Sequence, residues 1–155
     1  MAHLDMQEVH SIEMSINTTP AATSPTWSVV GVGFDNMQEA LNEVVQQYKF
    51  LSDKGYGRSR VTGMQPVWTL AGRRIWGDAA QDFIFSKKYG LGTDRETEAK
   101  IEYTAGGSVY TIEFDCTFAN LQEIGGATEE NSAVTVEIHV DGKPTLTKTA
   151  VEANG

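Results

Sequence analysis

The last third of the chain alternates apolar and polar residues with strict period two, and this limits its fold more than any other feature. Over residues 109–118, Tyr110, Ile112, Phe114, Cys116 and Phe118 fall on one side, and Thr111, Glu113, Asp115 and Thr117 on the other. Over 133–140 the apolar set is Val134, Val136, Ile138 and Val140, and over 96–103 it is Ala99, Ile101 and Tyr103. Successive side chains of a strand point to opposite faces, so each run is a strand with one face in a core and the other in water. The Ala-Gly-Gly-Ser stretch at 105–108 reads as a hairpin turn between two of them.

The rest of the chain is less regular. Residues 1–26 read as an N-terminal arm, because 17–25 form a small polar run with two prolines rather than a core element. Residues 27–34 suit a strand loosened by Gly31 and Gly33. Over 35–51, Met37, Ala40, Leu41, Val44, Val45, Tyr48 and Leu51 recur at helical spacing, with Asp35 as a cap, so periodicity predicts a helix. The Val-Val and Tyr-Lys-Phe pieces of the same segment also suit a strand. Residues 52–60 form a charged, glycine-bearing loop. Strand character resumes over 61–72, with Pro66 marking an edge or bulge. A short helix is expected at about 78–86, capped by Asp78 and anchored by Phe83 and Ile84. Asp141-Gly142 reads as a turn pair, followed by a strand and tail over 145–155. The fold class expected is mainly β: an antiparallel β-sandwich or barrel with one short flanking helix and extended terminal arms.

The 155 residues suit a single domain, and 40% hydrophobic content suits a packed core. Cys116 is the single cysteine, so no intramolecular disulfide forms. No apolar run reaches membrane-span length, and the acidic start is unlike a secretory leader, which points to a soluble protein made in a reducing cytoplasm. The net charge of −9 argues against a protein that clamps phosphates. That charge is uneven. Residues 1–57 carry 7 acids and 2 bases, 58–95 carry 3 acids and 7 bases, and 96–155 carry 11 acids and 3 bases. Scatter on a solvated surface accounts for this pattern, and so does contact between copies, basic face to acidic face.

Catalytic patterns are missing. His3, His10 and His139 are isolated, and Cys116 sits on an apolar strand face. Gly31-Val-Gly33 is half of a dinucleotide fingerprint. The sequence has no GxxxxGK[ST], HExxH, GxSxG or paired CxxC. It therefore predicts no enzyme, cofactor or metal. Trp27, Trp68 and Trp76, with Arg73 and Arg74, suit core and interface packing better than a ligand platform.

The order of segments carries a resemblance. Val-Thr-Gly-Met-Gln-Pro at 61–66 is followed by Trp-Thr-Leu-Ala-Gly at 68–72, and then by Gly-Asp-Ala-Ala-Gln-Asp-Phe-Ile-Phe-Ser at 77–86. Later come Phe-Ala-Asn-Leu-Gln-Glu-Ile-Gly-Gly at 118–126 and Val-Asp-Gly-Lys-Pro at 140–144. From 27 to 144 the chain resembles the major tail tube protein of long-tailed, siphovirus-like bacteriophages. The resemblance implies a tail-tube β-sandwich domain over 27–144, with the family helix at 78–85. It implies an inter-ring loop at 52–60, bearing Lys54, Tyr56, Arg58 and Arg60, and a strand at 44–50 leading into it, which overrules the helix. It also implies homo-hexameric rings stacked into a tube around a tape-measure protein, with tail terminator and distal tail proteins at the ends. Such a tube is assembled in the host bacterial cytoplasm, resides in the virion tail, and conducts double-stranded DNA. The terminal arms, 1–26 and 145–155, are then expected to order on assembly.

A basic lumen would bind DNA and stall it, whereas an acidic one lets it pass. The polar faces holding Glu98, Glu102, Glu113, Asp115 and Glu137 are candidates for lining the lumen, and they equally suit outer solvent. Arg73 and Arg74, with the loop residues, are candidates for contacts between subunits or rings. The alternative is a β-sandwich binding module of a phage tail that recognises carbohydrate or a host surface. That reading needs the three tryptophans exposed and gathered.

Overall fold

The computed structural model describes residues 4–151. Nine strands and one α-helix follow in order: β1 (Glu13–Asn17), β2 (Trp27–Val30), β3 (Phe34–Ala40), β4 (Val44–Tyr48), β5 (Arg58–Gly63), β6 (Val67–Arg73), α1 (Ala79–Ser86), β7 (Glu96–Ala105), β8 (Ser108–Gln122) and β9 (Ala133–Ala150). Seven strands form one antiparallel sheet in the order β2-β1-β7-β8-β9-β6-β3, and β4 pairs with β5 alone.

The two edge strands of the large sheet, β2 and β3, are neighbours in sequence. Val30 and Phe34 lie four residues apart, so their Cα atoms are at most about 14 Å apart. The sheet must curl until its edges approach, and of the two expected β architectures this is the barrel-like one. The alternating apolar residues fill the inside: Met14, Ile16, Leu70, Ala99, Ile101, Phe114, Cys116, Phe118, Val134, Val136, Ile138 and Val140 form one buried cluster with Ala80, Ile84 and Phe85 of α1. At about 25 cal/mol per Å2 of apolar surface removed from water, this cluster is the main favourable term in folding.

Backbones come close where the start of β3 meets β6. The Arg73 amide donates to the Gly33 carbonyl at 2.7 Å. A Cβ on Gly72 would overlap the Gly33 carbonyl, and Gly33 itself has φ +85°. Only glycine fits both positions. The helix starts where expected, the Asp78 carboxylate accepting from the Gln81 amide at 3.1 Å. The β7–β8 turn is also as expected, with Gly106 and Gly107 both at positive φ, as a two-residue hairpin loop requires.

Four expectations need correction. Residues 13–17, assigned to an arm, form β1, a strand inside the sheet with Met14 and Ile16 fully buried. A five-residue strand flanked by polar linkers gives periodicity too little length to register. The helix from spacing over 35–51 does not form. β3 and β4 occupy this segment and break at Asn42, which has φ +50°. The stretch read as one strand from 61 is divided between β5 and β6, which belong to different sheets. Finally, Asp141-Gly142 is no turn. β9 continues through it as a bulge: Glu113 pairs with Thr145 and Asp115 with Asp141, so β9 carries two extra residues there, with Gly142 at φ +78°. Residues 1–3 and the Glu-Ala-Asn-Gly end at 152–155 lie outside the described residues.

Candidate functional site

Two surfaces stand out, an acidic sheet face and a projecting hairpin. The register of β7, β8 and β9 puts Glu98 opposite Asp115, and Asp115 opposite Asp141, in one row across three strands. The next row is Lys100, Glu113 and Thr145. Glu102 faces Thr111 on one side and Glu13 on the other, and Glu137 faces Ala119 and Thr69. All five expected acids, Glu98, Glu102, Glu113, Asp115 and Glu137, therefore share the polar face of the curled sheet.

Like charges directly opposite one another destabilise a sheet, so the row of three carboxylates is not there for folding. Local partners soften it. The Thr117 hydroxyl donates to Asp141 at 2.6 Å, and Lys143 lines the same shallow hollow as Glu98, Asp115 and Asp141. The Asn120 amide donates to Glu137 at 2.8 Å, and a His139 ring nitrogen lies 3.1 Å from the same carboxylate. The Lys100 ammonium sits 4.6 Å over the Trp27 ring. These acids spread along the face rather than converge. Among the described residues no group of three His, Cys, Asp or Glu could hold a metal ion.

The β4–β5 hairpin leaves the large sheet through a base where the Gln65 amide donates to the Leu41 carbonyl at 3.1 Å. Its strands bury nothing: Val44, Val45, Tyr48 and Val61 are all exposed. At the tip Leu51 is 99% exposed and Tyr56 80%. A lone two-stranded hairpin is marginal in water, so one with apolar side chains in solvent suits a surface that is covered by something else. Lys54, Tyr56, Arg58 and Arg60 all lie on it. Arg58 grips Asp53 through two hydrogen bonds of 2.6 and 2.8 Å, and this carboxylate raises the guanidinium pKa.

Arg73 and Arg74 part company. Arg73 is exposed at the end of β6, donating to the Asn131 carbonyl at 2.9 Å. The Arg74 side chain is only 4% exposed, and it is a correction to its expected contact role. It pairs with Glu123 and Asp82, each at 3.0 Å, and stacks 3.9 Å from the Trp76 ring centroid. Arg73 closes β6, and Arg74, one residue past its end, turns inward to Asp82 of α1 and Glu123. Lys88 completes the cluster, donating to Glu123 at 2.9 Å; that bond first, and Arg74 second, hold the Glu123 carboxyl below its usual range.

Sequence reasoning missed Glu123, Gln81 and Asp141. Asp141 was within reach, since Glu137, His139 and Asp141 continue the polar alternation of β9, which the turn reading of Asp-Gly interrupted. Cys116 is inert: burial pushes its thiol pKa up to about 12. The tryptophans do not gather. Trp27 lies under Lys100, Trp68 packs against the core, and Trp76 is 76% exposed beside Arg74.

No known sequence family and no curated protein matches the chain. Solved structures do match in fold. A chain from the tail of an empty gene transfer agent particle, determined by helical refinement with C6 symmetry, superposes with a TM-score of 0.69 at 11% sequence identity. The match covers 92% of this chain and 99% of that one. A chain from the virion of a native gene transfer agent particle gives 0.67 at 10% identity, over 92% and 99%. At such identities the likeness is one of fold.

Proposed function

We propose that this chain is a structural, non-enzymatic tail tube protein of a long-tailed phage or phage-like particle. Copies join in sixfold rings, and the rings stack into a hollow tube in the virion tail. The carrying observation is the near end-to-end fold match with a chain of a C6-symmetric tail. The acidic sheet face supports the finer reading. With Glu98, Glu102, Glu113, Asp115 and Glu137 lining the lumen, double-stranded DNA is repelled from the wall and passes without being held. The exposed hairpin, with Lys54, Tyr56, Arg58 and Arg60, and the outward Arg73 serve contacts between subunits and rings. In this reading the tube grows in the host cytoplasm around a tape-measure protein, bounded by terminator and distal tail proteins. The binding-module alternative finds no support in tryptophans that lie apart.

Negative-stain microscopy of the purified chain over rising concentration tests the proposal. Hollow tubes or six-fold rings are expected. A species that stays monomeric by analytical ultracentrifugation throughout would overturn it.

A further inference from the structure

Residues 4–12 run outside the sheet before β1 begins. Val9 and Ile12 line a groove of about 460 Å3 with Val30 at the end of β2, Phe34 and Met37 of β3, and Leu70 of β6. The floor of this groove is the core itself: Val30 and Leu70 are buried, and Phe34 and Met37 pack half-buried against the core cluster. β2 and β3 are the outermost strands, each paired on one side only. An unpaired strand edge is a template for another chain, and covering it with a loop is one way proteins blunt it. Residues 9–12 stand where such a cover is needed. On the other side of the segment, Asp5, Met6, Gln7 and Glu8 face Thr104 and Ala105 of β7 across a second hollow of about 410 Å3.

The segment is loosely held. Among the described residues, every hydrogen bond made by 4–12 stays within it. The Ser11 and Ile12 amides donate to the Glu8 and Val9 carbonyls at 3.1 and 3.0 Å, and the Gln7 and Ser11 side chains bond locally. The 2.7 Å contact between His10 and Glu8 is internal too. Residues 4–11 are all exposed, Leu4, Met6 and Val9 among them, and Ile12 is half-buried against the core. From Glu13 onward the chain is fixed, since β1 pairs on both sides and Met14 and Ile16 are fully buried. A segment with few buried apolar contacts and no hydrogen bonds to its surroundings opens at low free-energy cost. Its pivot is Ile12, next to the fixed strand.

We propose that residues 4–12 act as a strap: in the free subunit they screen the groove between β2 and β3, and they swing off it when copies assemble. The strap keeps the bare edges and the apolar floor from premature contact, and displacing it adds to the barrier of starting a tube. A neighbouring chain reaches Phe34 and Met37 only with the strap aside. The swing rests on the tube reading, whereas the screening concerns the free subunit alone.

The test uses the full chain with Met37→Cys, the native Cys116 being buried and inert. Adding Val9→Gly should raise the rate at which a maleimide reacts with the introduced thiol about tenfold in the free subunit, because the strap loses its hold on the groove. Equal rates with and without Val9→Gly would overturn the screening. In a second chain, Val9→Cys and Met37→Cys are bridged by a bis-maleimide with a reducible spacer, since both positions line the groove. The bridged chain should grow no tubes by light scattering. Reducing the spacer leaves the same adducts on both thiols and should restore growth. Tubes that grow equally well before and after reduction would overturn the swing while leaving the tube reading intact. A parent chain that forms no tubes sinks the tube reading instead, and the maleimide rates still decide the screening.

Discussion

Gln81 is fully buried on α1 and ties the β2–β3 connection to the end of β6. Its amide nitrogen donates to the Val32 and Arg73 carbonyls at 3.0 and 2.9 Å, and its oxygen accepts from the Ile75 amide at 2.8 Å. Replacing it by leucine leaves those three backbone groups unpaired. Gln81→Leu should cost about 2–4 kcal/mol, read as a lower midpoint in urea unfolding. Glu123 makes a pH-dependent contribution. Its carboxyl is held below the ordinary value of 4.5, chiefly by Lys88, so its stabilisation is full above that value. It is lost as pH falls through the lower folded value. Lys88 is raised above 10.5 by the same bond, so its contribution is full below 10.5 and lost only as pH rises through the higher folded value. Glu123→Gln should lower the melting temperature at neutral pH and flatten its fall as the solution is acidified below the ordinary carboxyl value. A variant whose acid limb matches the parent's would show that Glu123 is not the group responsible.

At the scale of elements, the legible parts are those whose pattern reports burial. β7, β8 and β9 alternate because one face is inside, and α1 announces itself through Asp78. The segment 35–51 misleads because its apolar residues are mostly not buried in this chain. Met37 packs on the core, while Val44, Val45 and Tyr48 stand in solvent, so their spacing describes no single face. Helical periodicity presumes one apolar stripe against one core, and here two strands of different sheets share the count. The acidic face was legible in the same alternation, apart from Asp141. The arginine pair was not, since nothing local says which of two neighbours turns inward. The hairpin's exposure also makes a prediction. Excising residues 43–63 and closing the base with a short turn removes almost no buried surface. Monomer stability should change by no more than about 1 kcal/mol in urea melts, while tube formation is lost in electron micrographs. A large loss of stability would mean that the hairpin supports its own chain.

For the whole molecule, the row of Glu98, Asp115 and Asp141 sets stability against function. Across a sheet, opposite charges are favourable and like charges are not, each by roughly 0.2–1 kcal/mol. Glu98→Lys places a cation opposite Asp115, so the folded monomer should become more stable by about that amount. If the face lines a DNA channel, the same change harms the tube. Repeated in every subunit of every ring, it sets bands of positive charge along the lumen, and DNA phosphates bind there by releasing counterions. Tubes of the Glu98→Lys, Glu102→Lys variant should retain double-stranded DNA at low salt and release it as salt rises. The logarithmic slope is close to 0.9 per phosphate contacted, and parent tubes should retain little at any salt. Co-sedimentation of DNA fragments with tubes assembled around them measures both. Equal retention by parent and variant would place this face away from the DNA and turn the like-charge row into a feature of the outer wall. A more stable subunit whose tube holds its cargo is the outcome expected of a wall selected to repel rather than to fold well.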